Sequence, residues 1–229
     1  FANIAHGTSS VLAQRMGLQL ADYVINETGF GADLGAEKFL DLVMPMSGHV
    51  PSAAAIIVTL KALRTQGGAV NGPIEAGFPN LARHLLNMQR WGVPCVVALN
   101  RYAGDSEADL QSVLAYCSSV GADAAIADGY MQGGDGMTAL AAKLVSAAAS
   151  TDLTRVVPRY GRDQSLDAKI SEIATQVYGA RDVVLVPAAR RRLTQFEALG
   201  YGKLPVCIAK TQYSFSDDPS RMGAPTDFT

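Results

Sequence analysis

Apolar runs alternate with amphipathic stretches along the whole chain, a pattern typical of strands and helices that follow one another. Short apolar runs with the composition of buried strands occupy residues 22–26, 54–60, 94–100, 123–127, 183–187 and 205–210. Runs of this kind belong to parallel sheets that are covered by helices on both faces. We therefore expect an α/β fold in which a parallel sheet is flanked by helices.

Amphipathic periodicity predicts helices between these runs. In residues 106–120 the apolar positions recur at the spacing of one buried helix face, and Ser106 can cap the amino terminus. Residues 165–178 repeat this pattern, with Gly179 as a stop signal. A further helix is expected over residues 10–20.

The periodicity lapses around residues 150–164, where Pro158 and Gly161 appear. This lapse predicts a domain boundary. We expect a larger α/β region over residues 1–150 and a smaller α/β domain over residues 151–229.

Composition narrows the class of protein. The 229 residues are 48% hydrophobic with a net charge of −2, which gives a sizeable core but no electrostatic footprint for nucleic acid or an acidic membrane surface. Cys95, Cys117 and Cys207 form no C-x-x-C pair, so we expect buried free thiols in a reducing compartment, the cytoplasm. With no apolar span of 18 residues and no basic-then-apolar leader, neither membrane insertion nor export is expected.

A glycine-rich polar segment follows the first apolar run. Gly29, Gly31 and Gly35 would let the backbone approach a ligand closely, and Glu27 falls at the carboxyl end of the predicted strand. A carboxylate at that place can face Mg²⁺ in a nucleotide site. The spacing G-x-G-x-x-x-G differs from the dinucleotide fingerprint, which disfavours a dinucleotide-binding enzyme.

Two later runs also end in unusual polar residues. Asn100 and Arg101 close the third run, with Tyr102 directly after them, and Tyr130 follows the fourth run within a glycine-rich turn. Two tyrosines at neighbouring strand ends could clamp a planar ring. Each could equally be an ordinary half-buried tyrosine.

The histidines and the polar segment 211–219 leave alternatives open. His6 precedes the first helix in a segment whose backbone amides could face an anion, whereas His49 and His84 lack metal-ligand spacing. Segment 211–219, TQYSFSDDP, has the composition of a surface loop, but it follows an apolar run, where α/β proteins place ligand loops. The sequence contains neither a nucleophile elbow nor a P-loop motif.

Five strings resemble one family, in the same order along the chain: FANIAHGTSS, ADYVINETGFGADLGAEKF, VPCVVALNRYAGDSEADL, YMQGGDG and LPVCIAKTQYSFSDDPSRMGAPTDFT. They make the chain similar to the formate–tetrahydrofolate ligases. The resemblance implies part of a variant P-loop NTPase fold with a second, smaller α/β domain, in a polypeptide that assembles as a homotetramer. It also implies that ATP phosphorylates formate to formyl phosphate, and that tetrahydrofolate then takes the formyl group to give 10-formyltetrahydrofolate, ADP and phosphate.

The resemblance further implies three sets of site residues. The catalytic set is Glu27, His6 and Lys210, with Glu27 also facing the metal. The nucleotide-binding set is Asn100, Arg101, Gly29, Gly31 and Ser214. The folate-binding set is Tyr102, Tyr130, Asp33 and Gln212, where the two tyrosines stand in place of the Phe and Trp that usually sandwich the pterin ring.

The P-loop of that family lies upstream of FANIAHG, so the chain resembles an internal or C-terminal-half fragment. A fragment without the phosphate-binding lysine should catalyse little by itself, because phosphoryl transfer depends on positioning and charge stabilisation. The implied ligands of the parent are formate, ATP with Mg²⁺ and tetrahydrofolate. The need for a monovalent cation stays open.

One stretch departs from the family pattern. The signature helix usually reads V-A-T-[IV]-R-A-L-K-x-[HN]-G-G, whereas residues 57–68 read IVTLKALRTQGG. Lys61 and Arg64 exchange the two basic residue types, Gln66 replaces His or Asn, and residues 67–80 form a shorter stretch than in most relatives. Because Arg and Lys differ in hydrogen-bond geometry, any bidentate contact made there would change. A non-catalytic paralogue that binds folate or acts in assembly is the alternative function.

Overall fold

The structure is a computed structural model, and it describes residues 7–209, 213–216 and 218–229. The helices are α1 (Val11–Leu20), α2 (Gly35–Lys38), α3 (Met44–Ser47), α4 (Leu60–Gln66), α5 (Phe78–Trp91), α6 (Glu107–Ser119), α7 (Gly129–Gln132), α8 (Thr138–Ala149), α9 (Leu166–Glu172) and α10 (Pro187–Ala198). The strands are β1 (Ala54–Val58), β2 (Cys95–Asn100) and β3 (Asp123–Ala127). Short 3₁₀ turns occupy Ile74–Gly77, Asp135–Met137, Leu153–Arg155 and Tyr201–Lys203, and π-helical turns occupy Phe39–Val43 and Ile173–Tyr178.

The chain divides into two compact units. Unit 1 comprises Phe1–His49, Val157–Pro219 and Pro225–Thr229, and unit 2 comprises Val50–Val156 and Ser220–Ala224. The chain leaves unit 2 at Val156, close to the expected boundary at residue 150. Unit 1 also contains the first 49 residues, which the sequence pattern had grouped with the larger region.

Unit 2 is built on the predicted parallel sheet. The strand order is β1-β2-β3, with Ala54 opposite Cys95 and Asn100 opposite Ala127. Both connections run through helices, as parallel neighbours require. The strand predictions at 54–60, 94–100 and 123–127 are confirmed.

Both faces of this sheet are covered. Val97 and Leu99 of β2 belong to a buried cluster with residues of α4, α5 and α6. Val96 and Ala98 point to the opposite face and pack in a second cluster with Leu140 of α8. The alternation follows from the period of two in a strand, and burial on both faces explains why the run is apolar throughout.

Unit 1 is helical, with a core around α2, α9 and their π-helical extensions. Its fully buried side chains include Leu40, Ile173, Val177 and Phe215. The expected helix at 165–178 is present, capped by the Ser165 side chain and ended by a left-handed glycine. The helices at 10–20 and 106–120 are also confirmed. Ser106 caps the second as predicted, and Ser10 caps the first, which the sequence analysis had not predicted.

The other three strand predictions are wrong for the described residues. Residues 22–26 and 183–186 are extended or irregular but pair with no strand, and Pro187 begins α10. Residues 205–209 likewise form no ladder, and residue 210 lies outside the described residues. An apolar run becomes a strand only where a neighbour satisfies its backbone, and the described part of the chain offers these runs none.

Two composition-based expectations need correction. The cysteines are free as predicted, but Cys207 is exposed, because the unpaired segment around it leaves its side chain uncovered. The near-neutral net charge also conceals a short basic run, Arg190–Arg192, on α10. Within the described ranges, no helix is both long and apolar enough to cross a membrane.

Candidate functional site

The amino-terminal string contacts the glycine-rich string inside unit 1. Thr8 donates a hydrogen bond from its hydroxyl to Asn26 Oδ1 at 2.9 Å. Gly7, with φ +97°, approaches so closely that a Cβ there would lie 2.5 Å from the backbone nitrogen of Phe39. The fold therefore requires glycine at position 7.

The glycine-rich segment 27–35 makes a tight, strained turn. Gly29 and Phe30 both have positive φ, and Phe30 is one of three non-glycine residues with positive φ in the described ranges. A Cβ on Gly35 would lie 2.0 Å from the carbonyl oxygen of Gly29. The glycines thus let the backbone fold onto itself here, whereas the sequence had suggested that they admit a ligand. Strained non-glycine residues of this kind concentrate at functional sites.

The carboxy-terminal string contacts the same region. Lys38 donates from Nζ to the carbonyl oxygen of Ile208. Tyr178 donates from its hydroxyl to the carbonyl oxygen of Asp33 at 3.0 Å, and its ring packs edge-on against Phe215 at 6.3 Å. Three of the five family-like strings therefore meet in unit 1.

The electrostatics of this region centre on Glu37, which is fully buried. Burial raises the pKa of its carboxyl to about 8, Lys38 opposes that rise, and the neighbouring acids Asp41 and Asp33 add to it. Glu37 Oε2 accepts from Lys38 Nζ at 3.4 Å, while Oε1 has no hydrogen-bond partner among the described residues. A buried carboxyl in this state is near its titration point at neutral pH, a property common at functional sites.

The predicted unit 1 residues differ in their surroundings. Glu27 is exposed, Gly29 is buried and Gly31 is half-buried. Asp33 and Ser214 are buried, and Ser214 has a left-handed φ of +66°. His6, Lys210 and Gln212 lie outside the described residues.

The other two strings meet at the carboxyl edge of the sheet in unit 2. Arg101 donates from its backbone to Ala127 O at 3.0 Å, which carries the β2–β3 pairing past the strand end. Its guanidinium pairs with Glu107 at 3.2 Å. The backbone N–H of Tyr102 donates to Asp105 Oδ2, forming the tight turn after the strand.

Tyr102 and Tyr130 follow adjacent strands at this edge, and their side chains are 58% and 91% exposed. Asn100, two residues before Tyr102, is half-buried. Exposed aromatic rings at one edge of a sheet can receive a planar group by stacking. The structure thus places Asn100, Arg101, Tyr102 and Tyr130 in unit 2, apart in the chain from the unit 1 set.

Asp128 is a residue that the sequence analysis did not single out. It directly follows β3 and is 6% exposed. Its Oδ2 accepts from Gln132 Nε2 at 2.8 Å, its N–H donates to Gly136 O, and its Oδ1 has no partner among the described residues. An acid directly after a buried strand was the available signal. Its bonds fix the turn that carries Tyr130.

The residues that depart from the family pattern have structural partners in unit 2. Arg64 forms an ion pair with Asp109, and Gln66 Oε1 accepts from the backbone N–H of Gly223 at 3.2 Å. The Lys61 carbonyl accepts from Thr65. The side-chain contacts explain Arg64 and Gln66, whereas Lys61 contributes only its backbone and nothing in the structure explains its residue type.

The described residues contain no group of three or more His, Cys, Asp or Glu side chains that could hold a metal ion. Cys95 and Cys117 are poorly suited to nucleophilic chemistry, because burial raises the pKa of Cys95 to about 12 and also raises that of Cys117.

Comparison with known proteins identifies the same family that the five strings resemble. The family model described as formate–tetrahydrofolate ligase matches residues 1–229. The chain is 46% identical, over 237 aligned residues, to a protein named formate–tetrahydrofolate ligase from Lactiplantibacillus plantarum. That alignment covers 100% of this chain and 43% of the relative, so the chain spans less than half of the relative's length. The chain belongs to the formate–tetrahydrofolate ligase family.

Proposed function

We propose that the polypeptide to which this chain belongs ligates formate to tetrahydrofolate at the expense of ATP. The γ-phosphoryl group moves to a formate oxygen with release of ADP. The N10 amine of tetrahydrofolate then attacks the formyl carbon of formyl phosphate, giving 10-formyltetrahydrofolate and releasing phosphate. The observation that carries this proposal is the family match over residues 1–229.

The roles proposed for unit 1 concern phosphate and formate chemistry. Glu27, His6 and Lys210 would act at the reacting groups, and Gly29, Gly31 and Ser214 would line the nucleotide. Support comes from strain at Phe30 and Ser214, which lie in two segments joined by hydrogen bonds and ring packing. Asp33 and Gln212 remain proposed folate contacts.

The roles proposed for unit 2 concern planar ligands. Asn100 and Arg101 would lie near the nucleotide base, and Tyr102 and Tyr130 would stack on the pterin ring. Their exposure at one sheet edge supports this assignment. A ring between two tyrosines would gain both apolar burial and favourable stacking.

The metal belongs to the nucleotide in this proposal. Mg²⁺ is usually held by one or two carboxylates together with substrate phosphates, so a single exposed carboxylate such as Glu27 fits that chemistry, and a cage of protein side chains is not needed. Mg²⁺ would neutralise phosphate charge when ATP binds. A monovalent cation remains a possible further ligand.

The setting of the whole protein is also a proposal. The three free cysteines suit a reducing compartment, which supports the cytoplasm. A homo-oligomer, in the family manner a tetramer, is the proposed assembly, with small-molecule ligands and neither nucleic acid nor membrane as partner.

The test begins with 10-formyltetrahydrofolate formation by the full-length polypeptide. Calorimetric titration with tetrahydrofolate then compares the wild type with Tyr102→Ala and Tyr130→Ala, each of which should weaken binding by about tenfold, or about 1.4 kcal/mol of lost stacking. Tyr201→Ala removes a half-exposed tyrosine of unit 1 and serves as the matched control.

Unchanged folate affinity in both variants would refute the tyrosine clamp. Folate binding without ATP-dependent turnover would instead identify the alternative, a non-catalytic folate-binding or assembly paralogue.

A further inference from the structure

Segment 202–208 is held by buried side chains, although its sequence is that of a strand. Its even-numbered carbonyl oxygens accept hydrogen bonds: Gly202 and Leu204 from Lys169 Nζ at 2.8 and 3.0 Å, Val206 from the Tyr160 hydroxyl at 3.0 Å, and Ile208 from Lys38 Nζ. Tyr160 also accepts from the Val206 N–H at 3.0 Å. From Leu204 to Ile208 the spacing of two is that of an extended chain presenting one edge, whereas Gly202 lies in the 3₁₀ turn Tyr201–Lys203.

These side-chain donors supply the hydrogen bonds that a neighbouring strand would otherwise provide. Lys169 is 0% exposed and Lys38 is 3% exposed, so each ammonium group has given up most of its water. Burying an ammonium is costly unless hydrogen bonds and a counter-charge compensate. The hydrogen bonds to these carbonyls compensate for the water that the two ammonium groups lose. The same hydrogen bonds fix the position of the segment along its length.

Lys38 occupies a special place among these donors. It is the last of them, and its carbonyl partner stands two residues before Lys210 in the sequence. Farther along the chain, Phe215 is 1% exposed and packs on Tyr178, whose hydroxyl donates to the Asp33 carbonyl. The chain is thus attached to the Asp33–Lys38 stretch on both sides of residues 210–212.

We propose that Lys38 is a positioning residue, which positions the segment that bears Ser214 by holding the carbonyl of Ile208. The inference rests on the proposed function, in which that segment serves anionic phosphoryl chemistry. Lys38 itself does not touch substrate. Its ammonium group donates a hydrogen bond to the Ile208 carbonyl and forms an ion pair with Glu37.

The chain offers a matched control in Lys169, an equally buried lysine that bonds two carbonyls of the same segment at its far end. In the full-length polypeptide, Lys38→Met should lower kcat by about tenfold to a hundredfold, because misplacement by about 1 Å can cost that much. The KM for tetrahydrofolate should stay unchanged. Lys169→Met should lower Tm by as much or more and leave kcat close to the wild type.

Lys38→Arg keeps a cationic donor and should recover part of the lost kcat. If the loss came only from a change in side-chain volume, the arginine variant would not recover it. If kcat falls in both methionine variants in proportion to their Tm losses, Lys38 is only structural and the inference is overturned. Wild-type kcat in Lys38→Met would overturn it as well.

Hydrogen exchange separates this inference from the proposed function. Absence of ligase turnover in the wild type would defeat the proposed function without testing the contact. Exchange at the amides of Tyr213, Ser214 and Phe215 tests it directly, since Lys38→Met should accelerate exchange there and Lys169→Met should not. Equal protection in the two variants would refute the positioning role even in an inactive polypeptide.

Discussion

Glu37 is a carboxyl group that the fold keeps out of water, and desolvation is the main reason that its pKa rises to about 8. In the unfolded chain the same group titrates near 4.5. Between these two values the unfolded state loses the proton and the folded state keeps it. Glu37 therefore makes the folded state less stable as pH rises from 4.5 to 8, with no further change above 8.

Glu37→Gln should remove this dependence. The free energy of unfolding of the variant, relative to that of the wild type, should increase from pH 5 to pH 9. The upper limit of this increase is about 4 kcal/mol, because each pH unit between 5 and 8 contributes about 1.36 kcal/mol. Urea unfolding followed by circular dichroism at the two pH values measures the difference. Glu172→Gln, at a half-buried carboxyl of the same unit, is the control. A Glu37→Gln effect that is equal at both pH values would contradict the assigned ionisation.

Residues such as Glu37, Lys38 and Asp128 show where sequence reasoning ends. Residue type and strand-end position singled out Tyr102, Tyr130 and the glycines, since these cues are local. The hydrogen bond from Lys38 to the Ile208 carbonyl joins residues that are 170 positions apart in the sequence. Neither periodicity nor composition contains that information.

Helices and strands were predicted correctly where the local sequence pattern favoured them and a neighbouring element was present to cover or pair with them. The three central strands and the helices capped by Ser10, Ser106 and Ser165 formed as expected, because their apolar faces meet neighbours within the chain. The run at 205–210 failed because strand formation is decided by pairing, and side chains took the place of a neighbour for the described part of that run.

The turn after α5 offers a test at the scale of an element. Gly92 has φ +78° and ends the helix in a Schellman motif, with hydrogen bonds from Gly92 N to Gln89 O and from Val93 N to Met88 O. A Cβ there would lie 2.2 Å from Arg155 O. Backbone strain alone costs about 1–3 kcal/mol. Gly92→Ala should destabilise unit 2 by more than that, because the added Cβ also clashes with Arg155 O.

Gly121→Ala isolates the strain contribution. Gly121 has φ +72°, and a Cβ there would meet nothing within 4 Å. Urea unfolding followed by the fluorescence of Trp91, the single tryptophan of the chain, compares the two variants. Equal losses would show that the close approach to Arg155 costs nothing.

At the scale of the whole molecule, the discontinuous units could not be predicted from a lapse in periodicity. Unit 1 combines Phe1–His49 with Val157–Pro219 and Pro225–Thr229, so residues from the beginning of the chain pack with helices that follow Val157. This packing is fixed by long-range contacts such as the Tyr178 to Asp33 hydrogen bond. Residues of the five family-like strings accordingly belong to both units.

Each unit has its own core, which predicts separable responses to cavities. Leu99 in unit 2 and Ile173 in unit 1 are both 0% exposed, and truncation of either to Ala should cost about 2–5 kcal/mol. Hydrogen exchange should accelerate mainly in β1, β2 and β3 for Leu99→Ala, and mainly in α9 and its extension for Ile173→Ala, because core contacts stabilise the amides that share them. Acceleration of equal size throughout both units in either variant would mean that the chain opens as one cooperative body.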